Sequence, residues 1–394
     1  MEQKFVLNDY LRKYGNTSFE DLPLNETDIL VFAALSYADF MAARQVLEKY
    51  DIWNDEIPLM AFNSHEVAKK LSMRYLSGPV IYYHFFNDVL ASKRFSSLKI
   101  TRIRNVFSKS KNTQFFAMVY VICDFKFIIY RGTDNTIAGW KEDILTAISD
   151  EIPSQKLAAE YANEILKEDS INRYYILGHS KGGNLAYYAF FNLEDEFKSR
   201  IIRCYNLDGN GFKNDKFPYK KYSHLLKKVV PNDDVVGTLF DTYEKNIIVR
   251  STSFSIFAHD VLTWMLNPND FTKYLRVKNL TRASQALKTI FNNWVSKLNE
   301  TQLYDFIDFI FMLVDLEKTK TINDLYKNLV KNHYKYLQTI ENLPLEKKKE
   351  LRKLSKDFLL DYLNVYVRLS PISQRISLFI KNEKLLREKE KWKK

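Results

Sequence analysis

The chain has 394 residues, of which 46% are hydrophobic and 15% aromatic, and this composition excludes an intrinsically disordered protein. The net charge of +11 is unevenly placed, because residues 345–394 hold 15 Lys and Arg against 7 Asp and Glu, which is +8 of the total. The rest of the chain is close to neutral and carries no recognisable nucleic-acid-binding module. We therefore expect no specific nucleic-acid partner.

Sequence features related to location point to the cytoplasm. Residues 1–9 lack the apolar block of a signal peptide, and no run of about 18 uncharged apolar residues occurs. The two cysteines, Cys123 and Cys204, lie in strand-like runs and are expected to be buried free thiols. These features together predict a cytoplasmic protein.

The N-terminal third predicts helices. Residues 5–13 are amphipathic, and Asn25 is a candidate N-cap for a helix that continues to about residue 40. Ser64 is a candidate cap for a helix over 66–75. Residues 81–110 also favour a helical conformation, and this stretch is one candidate for a lid over the site.

The sheet is expected to begin near Gln114. A hairpin is predicted from strands at 115–122 and 127–130, and later strands are predicted at 174–177, 203–207, 225–230 and 246–250. A helix over 154–167 behind Pro153 makes a βαβ crossover between the hairpin and the next strand. Eight of the ten glycines lie between positions 132 and 237, so the turn-rich sheet occupies the middle of the chain and helices take over from about 270.

The most informative motif is Gly-His-Ser-Lys-Gly-Gly at 178–183. It follows the strand-like run 174–177 and precedes a helix-forming run at 184–192. A strand, Gly-x-Ser-x-Gly and a helix form a nucleophile elbow, in which a tight turn holds the serine hydroxyl above the sheet. The motif therefore predicts Ser180 as a nucleophile.

The elbow glycines are Gly178, Gly182 and Gly183. Any side chain at 178 or 182 would collide with the neighbouring strand or helix, and the turn forces strained backbone angles on Ser180. The oxyanion of an acyl-transfer reaction would then be held by two backbone N–H groups. One candidate is the amide of Lys181, whose side chain is expected to be surface charge, and the other is the amide of Thr133.

A serine nucleophile needs a histidine base, and in this type of fold the base follows the serine and the acid in the chain. His224, His259 and His333 lie downstream of the elbow, while His179 is expected to point away from Ser180. His259 follows the last strand-like region and is favoured. His224 precedes a strand and is the rival.

The acid is expected at the carboxyl end of a later strand. The strand order favours Asp234, with Asp233 a near-equal alternative. Asp208 ranks third and has an alternative role as a structural carboxylate that caps the turn at 209–211. No cofactor or metal is expected, since this chemistry needs neither.

Several segments together resemble the bacterial Mbeg1-like family of α/β-hydrolases of unknown function, which is similar to class 3 lipases. The resemblance covers about residues 3–268 and is carried by the segments 8–37, 130–143 (Tyr-Arg-Gly-Thr-Asp-Asn-Thr-Ile-Ala-Gly-Trp-Lys-Glu-Asp), 178–184, 205–212 and 230–237. The likeness to class 3 lipases implies Thr133 as an oxyanion donor, Asp234 as the acid and His259 as the base.

The expected fold is therefore an α/β-hydrolase core at 1–268, including the N-terminal helices, followed by a basic, all-helical region at 269–394. The first hypothesis is a serine hydrolase of carboxylic esters, lipase-like or phospholipase-like, acting on a small-molecule or lipid ester. The alternative is a non-catalytic hydrolase-fold module that binds lipid, membrane or protein through its basic tail, for example at an anionic membrane surface.

Overall fold

The computed structural model describes residues 3–49, 53–63, 79–108, 113–133, 151–212, 217–234, 236–240 and 246–299, parts of 301–306 and 341–356, and the single positions 67, 110, 142, 146 and 149. Most residues of the helices predicted at 66–75 and beyond 306, including most of the basic tail, lie outside the described residues. Within the described part, no single helix has the length and apolar composition to cross a membrane. One bent pair of helices, Glu26–Leu35 and Phe40–Glu48, reaches that length and composition only when the two are taken together.

Nine α-helices and ten β-strands have both of their ends within the described part of the chain. The helices are α1 Leu7–Tyr14, α2 Glu26–Leu35, α3 Phe40–Glu48, α4 Pro79–Ala91, α5 Pro153–Glu168, α6 Lys181–Phe191, α7 Asp195–Lys198, α8 Tyr219–Tyr222 and α9 Arg282–Ser296. The strands are β1 Glu56–Pro58, β2 Lys99–Ser108, β3 Thr113–Ile122, β4 Phe125–Tyr130, β5 Tyr174–His179, β6 Ile201–Leu207, β7 Leu226–Pro231, β8 Ile247–Val249, β9 Leu266–Asn267 and β10 Asp270–Tyr274.

Strands β1 to β8 form one mixed sheet in sequential order. The first three pairings, from β1 to β4, are antiparallel, and the four pairings from β4 to β8 are parallel. Parallel neighbours need a crossover, and α5 and α6 supply the crossovers on either side of β5. The parallel half places the carboxyl ends of β4 to β8 along one edge, where sites of α/β proteins form.

The sheet is covered on both faces, and β3 shows how the sequence achieves this. Its alternate residues Phe116, Met118, Tyr120 and Ile122 pack in a core with α1, α2 and α4, whereas Phe115, Ala117 and Val119 pack against α5 and α6. Side chains of a strand alternate between its two faces, so a continuous apolar run is the pattern of a strand buried on both sides.

Helix α2 begins where the sequence predicts. The Asn25 side chain accepts hydrogen bonds from the Thr27 and Asp28 amides, and the Asp28 carboxylate accepts one from the Asn25 amide. The helix ends at Leu35 rather than near residue 40, because a new helix starts behind Asp39, whose carboxylate caps the Ala42 amide.

The sheet begins earlier than predicted. Strands β1 and β2 precede Gln114, so the expected helical stretch over 81–110 divides into helix α4 and strand β2. Strand β2 contains three exposed or half-exposed basic residues, Lys99, Arg102 and Arg104, and their spacing hides the alternation of apolar and polar residues that is typical of a strand. The prediction of a helical stretch over 81–110 is therefore wrong for its second half, which belongs to the sheet.

The predicted boundary at residue 268 runs through an antiparallel pair, because β9 and β10 lie on either side of it. Downstream residues also bond to the core, since the Val277 amide donates to the Ile248 carbonyl and the Thr281 amide to the Asn232 carbonyl. Residues 270–296 therefore belong with the core, and 270–274 form a strand instead of the helix expected from about 270.

The two cysteines differ in environment. Cys204 on β6 is a buried free thiol, as predicted. Cys123 is a free thiol too, but it is exposed, because it lies in the tight turn between β3 and β4 with a positive φ of 48°. The expectation that both thiols are buried is wrong for this residue.

Candidate active site

Ser180 lies at the sharp turn between β5 and α6 with φ 57° and ψ −133°, a strained conformation for a residue with a side chain. A Cβ on Gly178 would lie 1.9 Å from the Gly182 carbonyl oxygen, and a Cβ on Gly182 would lie 2.1 Å from the Tyr130 carbonyl oxygen. The predicted elbow is therefore present, and its glycines allow the strand and helix to approach. Gly183 is packed in the same way against the side chain of Asn206.

The loop after β4 packs directly on the elbow. A Cβ on Gly132 would lie 2.5 Å from the His179 carbonyl oxygen and 3.0 Å from the Ser180 Cβ. Thr133 follows and is buried, at 4% exposure. Lys181 is the first residue of α6, where backbone N–H groups have no acceptor within the helix. The structure thus places the two predicted oxyanion donors on segments that flank Ser180.

His259 lies at the end of the turn Ser255–His259 and is buried at 2% exposure. Its Nδ1 atom lies 2.7 Å from Asp208 Oδ2 and 3.8 Å from Asp234 Oδ2. The first distance is a hydrogen bond, whereas the second is too long for one. His259 therefore pairs with Asp208, the acid that the sequence ranked third.

The rival histidine, His224, lies before β7, at the opposite edge of the parallel strands from Ser180. Its carbonyl oxygen accepts a hydrogen bond from the Arg203 guanidinium. His333 lies outside the described residues. The structure brings His259 to the elbow and leaves His224 away from it.

Asp208 is held beside the nucleophile by strand geometry. The Ser180 amide donates to the Leu207 carbonyl at 2.9 Å, so the residue after Leu207 lies next to the elbow. Asp208 has a φ of 53°, and its own amide donates to the Val229 carbonyl at 2.8 Å. The side chain consequently leaves the strand end towards His259 instead of capping the turn at 209–211.

The other two acidic candidates take different positions. Asp234 is buried at 1% exposure, and its Oδ2 atom accepts the Val236 amide at 2.7 Å. Asp233 instead accepts a hydrogen bond from the Thr281 hydroxyl at 2.6 Å, on the segment that leads into α9. Asp234 is thus a second carboxyl beside the His–Asp pair, and Asp233 is not part of the cluster.

Asp208 and Asp234 form a buried pair of carboxyl groups. Burial raises the pKa of Asp208 to about 7, while a hydrogen bond from Asp234 and the Lys228 ammonium act in the opposite direction. Two carboxyl groups buried close together do not both ionise easily, which acts in the same direction as burial.

His179 contributes more than the sequence indicates. Its Nε2 atom lies 2.8 Å from the His259 carbonyl oxygen, and its Nδ1 atom lies 2.7 Å from the Tyr37 hydroxyl. Burial, and secondarily the nearby His259, hold the pKa of His179 well below its usual range, so the ring is neutral. Nε2–H therefore donates to the carbonyl and Nδ1 accepts from Tyr37, which fixes the His259 backbone.

The Lys181 side chain is not surface charge, because it is 1% exposed. Its Nζ atom donates to the Gln114 carbonyl at 2.7 Å and to Glu142 Oε2 at 2.9 Å. A buried ammonium has to be paired. The segment 130–143 contains three acidic residues, Asp134, Glu142 and Asp143, and the sequence does not identify which of them pairs with Lys181.

Three of the site residues also form a set of potential metal ligands, since ligand atoms of Asp208, Asp234 and His259 all lie within 4.8 Å of one another. The 2.7 Å separation of His259 Nδ1 and Asp208 Oδ2 is that of a direct hydrogen bond. Two ligands of one zinc ion, each at about 2.0–2.2 Å in tetrahedral geometry, stand farther apart than that. The arrangement fits a base and its acid.

A strained serine between strand and helix, with a buried His–Asp pair at the carboxyl edge of parallel strands, defines an α/β-hydrolase. The model of the Mbeg1-like family matches residues 89–312, more than half of the chain, and the protein belongs to that family. The predicted family and fold class are both confirmed, and the match begins at residue 89 rather than at about residue 3 and ends at residue 312 rather than at about residue 268.

Three solved lipases are similar to the chain. Lip2 lipase from Yarrowia lipolytica has 10% identity and a TM-score of 0.30, and the match covers 39% of this chain and 66% of the lipase, just under two thirds. A propeptide complex of a deletion mutant of Rhizomucor miehei lipase has 14% identity and a TM-score of 0.37, and the match covers 60% of this chain and 78% of that lipase. A triacylglycerol lipase from Penicillium expansum has 14% identity and a TM-score of 0.30, and the match covers 46% of this chain and 82% of that lipase. These likenesses concern the fold alone, and no curated protein matches the chain.

Proposed function

We propose that this protein is a serine hydrolase of carboxylic esters and that its substrates are lipid-like esters. The observation that supports this most directly is the strained backbone of Ser180 at the elbow, beside the buried hydrogen bond between His259 and Asp208. An activated serine needs a base oriented by an acid, and these three residues supply the roles in the order Ser, Asp, His along the chain.

In the proposed reaction, His259 Nδ1–H donates to Asp208, which leaves Nε2 to accept the Ser180 proton. The serine oxygen forms a bond to the ester carbonyl carbon, and the carbonyl electron pair moves to oxygen. The amides of Lys181 and Thr133 stabilise that oxyanion, each donor contributing about 3 kcal/mol. The tetrahedral intermediate then expels the alcohol, which takes the proton from His259, and water repeats the sequence to release the acid.

Asp208 is the proposed orienting acid, because it alone of the three candidates is hydrogen-bonded to the imidazole. We propose that the hydrogen bond with Asp234, which lowers the pKa of Asp208 against the effect of burial, helps to keep Asp208 available as the acceptor.

The substrate class is inferred from the surface beside His259. Phe254 and Phe257 lie two to five residues before it, with 69% and 67% of their surfaces exposed and their ring centroids 6.4 Å apart. Exposed large apolar side chains favour contact with apolar ligands, and these two lie on the segment that leads into His259. A water-insoluble acyl ester suits this surface better than a small polar one.

The test is labelling with a fluorophosphonate probe, which reacts with activated serines, followed by mass spectrometry of the labelled peptide. We expect label on Ser180 in the wild-type protein and none in Ser180→Ala or His259→Ala, while Ser199→Ala, at an exposed serine, serves as the matched control. Hydrolysis of ester panels of increasing chain length would then define the substrate. Labelling retained in Ser180→Ala, or absent from the folded wild-type protein with and without detergent, would refute the proposal.

A second candidate follows from the +8 charge of residues 345–394. We propose it as an addition to the first, with the basic tail binding an anionic membrane surface where lipid esters occur. Co-sedimentation with vesicles containing phosphatidylserine tests it, and equal binding by the chain truncated after residue 344 would refute it. The cytoplasmic location stays a prediction, which cell fractionation can check.

A further inference from the structure

A buried polar network lies beneath the elbow and has no role in the reaction as written above. Glu142 is fully buried and accepts hydrogen bonds from Lys181 Nζ at 2.9 Å, the Gln114 amide at 2.8 Å and the Ser154 hydroxyl at 2.5 Å. Lys181 also donates to the Gln114 carbonyl at 2.7 Å. We call these four residues the Lys181–Glu142 network.

The network connects separate elements of the fold. Lys181 begins α6, Gln114 lies near the start of β3, and Ser154 is in the first turn of α5. Glu142 lies nine residues after Thr133, in the connection between β4 and α5. The ammonium group of the residue that follows the nucleophile therefore holds the far end of the segment that carries the other oxyanion donor.

The near end of that segment is also fixed. The Arg131 amide donates to the Phe116 carbonyl at 3.0 Å, and Gly132 packs against the elbow without room for a Cβ. Glu142, downstream of Thr133 in the same connection, is bonded to Lys181 at the start of α6. The described residues on either side of Thr133 are thus both tied to elements that carry the elbow.

Stability alone gives little reason for this arrangement. Removing a Lys and a Glu from water costs several kcal/mol per ion, and well-packed apolar side chains of similar volume are often equally stable or more so. A buried ion pair does, however, accept only a narrow range of geometries. Its most useful effect is to fix the relative position of the elements that it joins.

We propose that Lys181 and Glu142 are positioning residues, which fix the Thr133 segment against the elbow so that both oxyanion donors are held in register. This inference rests on the proposed function, because it assigns a purpose to the geometry of the oxyanion hole. Lys181 would thus act twice, through its amide on the oxyanion and through its ammonium on the loop. Losing the alignment of one donor lowers the rate by about 100- to 1000-fold.

The experiment compares two buried ion pairs in the full-length protein. Lys181→Met and the charge-neutral double variant Lys181→Met/Glu142→Gln disrupt the network, and the double variant avoids an unpaired buried carboxylate. The matched control is Arg94→Met/Asp28→Asn, which removes a pair of equally buried side chains, 2.6 Å apart, between α2 and the turn after α4. The rate of fluorophosphonate labelling per folded molecule and the melting temperature are measured for each.

We expect labelling of the Lys181 variants to slow by at least about 30-fold, approaching the range for loss of one oxyanion donor. The control pair should lower the melting temperature without slowing the labelling. Equal rates in the wild-type protein and the double variant would overturn the inference. An equal slowing in the control would also overturn it, because the effect would then be one of general stability.

Hydrogen exchange gives a readout that does not depend on catalysis. The Arg131 amide, which reports on the near end of the segment, should exchange faster in the double variant, while the β5 amides keep their protection. If the wild-type protein is never labelled, the proposed function fails, and this measurement still decides the structural inference. Unchanged exchange at Arg131 would refute the role of the network in holding the loop.

Discussion

Replacing each carboxyl of the buried pair by its amide separates the two candidate acids. In Asp208→Asn the partner of His259 Nδ1 is lost, whereas in Asp234→Asn that hydrogen bond survives. The two substitutions cause almost the same small change in volume, and each replaces one carboxyl by an amide. The difference between them therefore reports which carboxyl orients the imidazole of His259.

The expected magnitudes follow from the two distances. A hydrogen bond to a charged group is worth about 1.5–3 kcal/mol, which corresponds to about a 10- to 150-fold change in rate. An amide at position 208 would also donate a hydrogen bond to His259 Nδ1, which places the imidazole proton on Nε2. Because Nε2 then carries a proton, it can no longer accept one from Ser180. In serine-protease triads that change costs about 10⁴-fold. We expect Asp208→Asn to slow labelling of Ser180 by about 10³- to 10⁴-fold.

Asp234→Asn should cost less than about tenfold, because 3.8 Å is not a hydrogen-bond distance and the amide oxygen can still accept the Val236 N–H. The assay is the second-order rate of fluorophosphonate labelling, with circular dichroism to establish that both variants fold. A larger loss in Asp234→Asn than in Asp208→Asn would refute the geometric argument and restore the acid favoured by the sequence. Equal losses would mean that the pair acts as one acid.

Three further predictions test other parts of the structure. In the native protein, a maleimide should modify Cys123 rapidly and Cys204 only after unfolding, as read by intact mass before and after addition of urea. Gly132→Ala should lower stability by about 1–3 kcal/mol and abolish labelling, because its Cβ would lie 2.2 Å from Tyr37 Oη; a normal melting temperature with normal labelling would contradict this. Burial raises the pKa of Asp208 to about 7 in the native protein, whereas in the unfolded chain it is about 3.9. Between about pH 3.9 and pH 7 the native state therefore binds more protons than the unfolded state, and the free energy of unfolding falls as pH rises through this window. Urea titrations give the free energy of unfolding at about pH 4.5, inside that window, and at about pH 7.5, above it. The fall between the two should be smaller in Asp208→Asn than in the wild-type protein, and an equal fall in both would contradict the raised pKa of Asp208.

The elbow could be predicted from the sequence because most of the interactions that define it are local. Strand, turn and helix are contiguous between residues 174 and 191, and the requirement for Gly178 and Gly182 comes from contacts within that stretch or with the adjacent end of β4, whereas Gly183 is required by Asn206 on β6. The histidine could also be chosen, since it had to follow the last strands of the sheet. Local pattern and chain order together led to Ser180 and His259.

The acid could not be ranked by the same reasoning. Asp208 and Asp234 end adjacent parallel strands, β6 and β7, so chain order allows either. The choice depends on where the turn at 255–259 lies and on the positive φ of Asp208, neither of which leaves a sequence signature. It is a tertiary property, set by a contact across 51 positions of the chain.

The burial of Lys181 was missed for a related reason. A lysine in the first turn of a helix is usually solvated, and only the segment that returns through Glu142 converts this position into an interior one. Strand β2 was missed because its basic side chains are spaced irregularly along an outer part of the sheet. In both cases a long-range contact decided the outcome against the local pattern.

The charges around the elbow follow one electrostatic logic. Glu142 pairs with the Lys181 ammonium, so that cation is already compensated, and in the proposed reaction backbone amides are left to stabilise the oxyanion. On the other side, Asp208 lies within hydrogen-bond distance of His259 Nδ1, with Lys228 close enough to act on Asp208. Positive charge can therefore develop on the imidazole and negative charge on the substrate oxygen without either being neutralised beforehand by a neighbouring side chain. Fixed dipoles at one site and a carboxylate at the other suit a reaction that creates a separated ion pair in a buried environment.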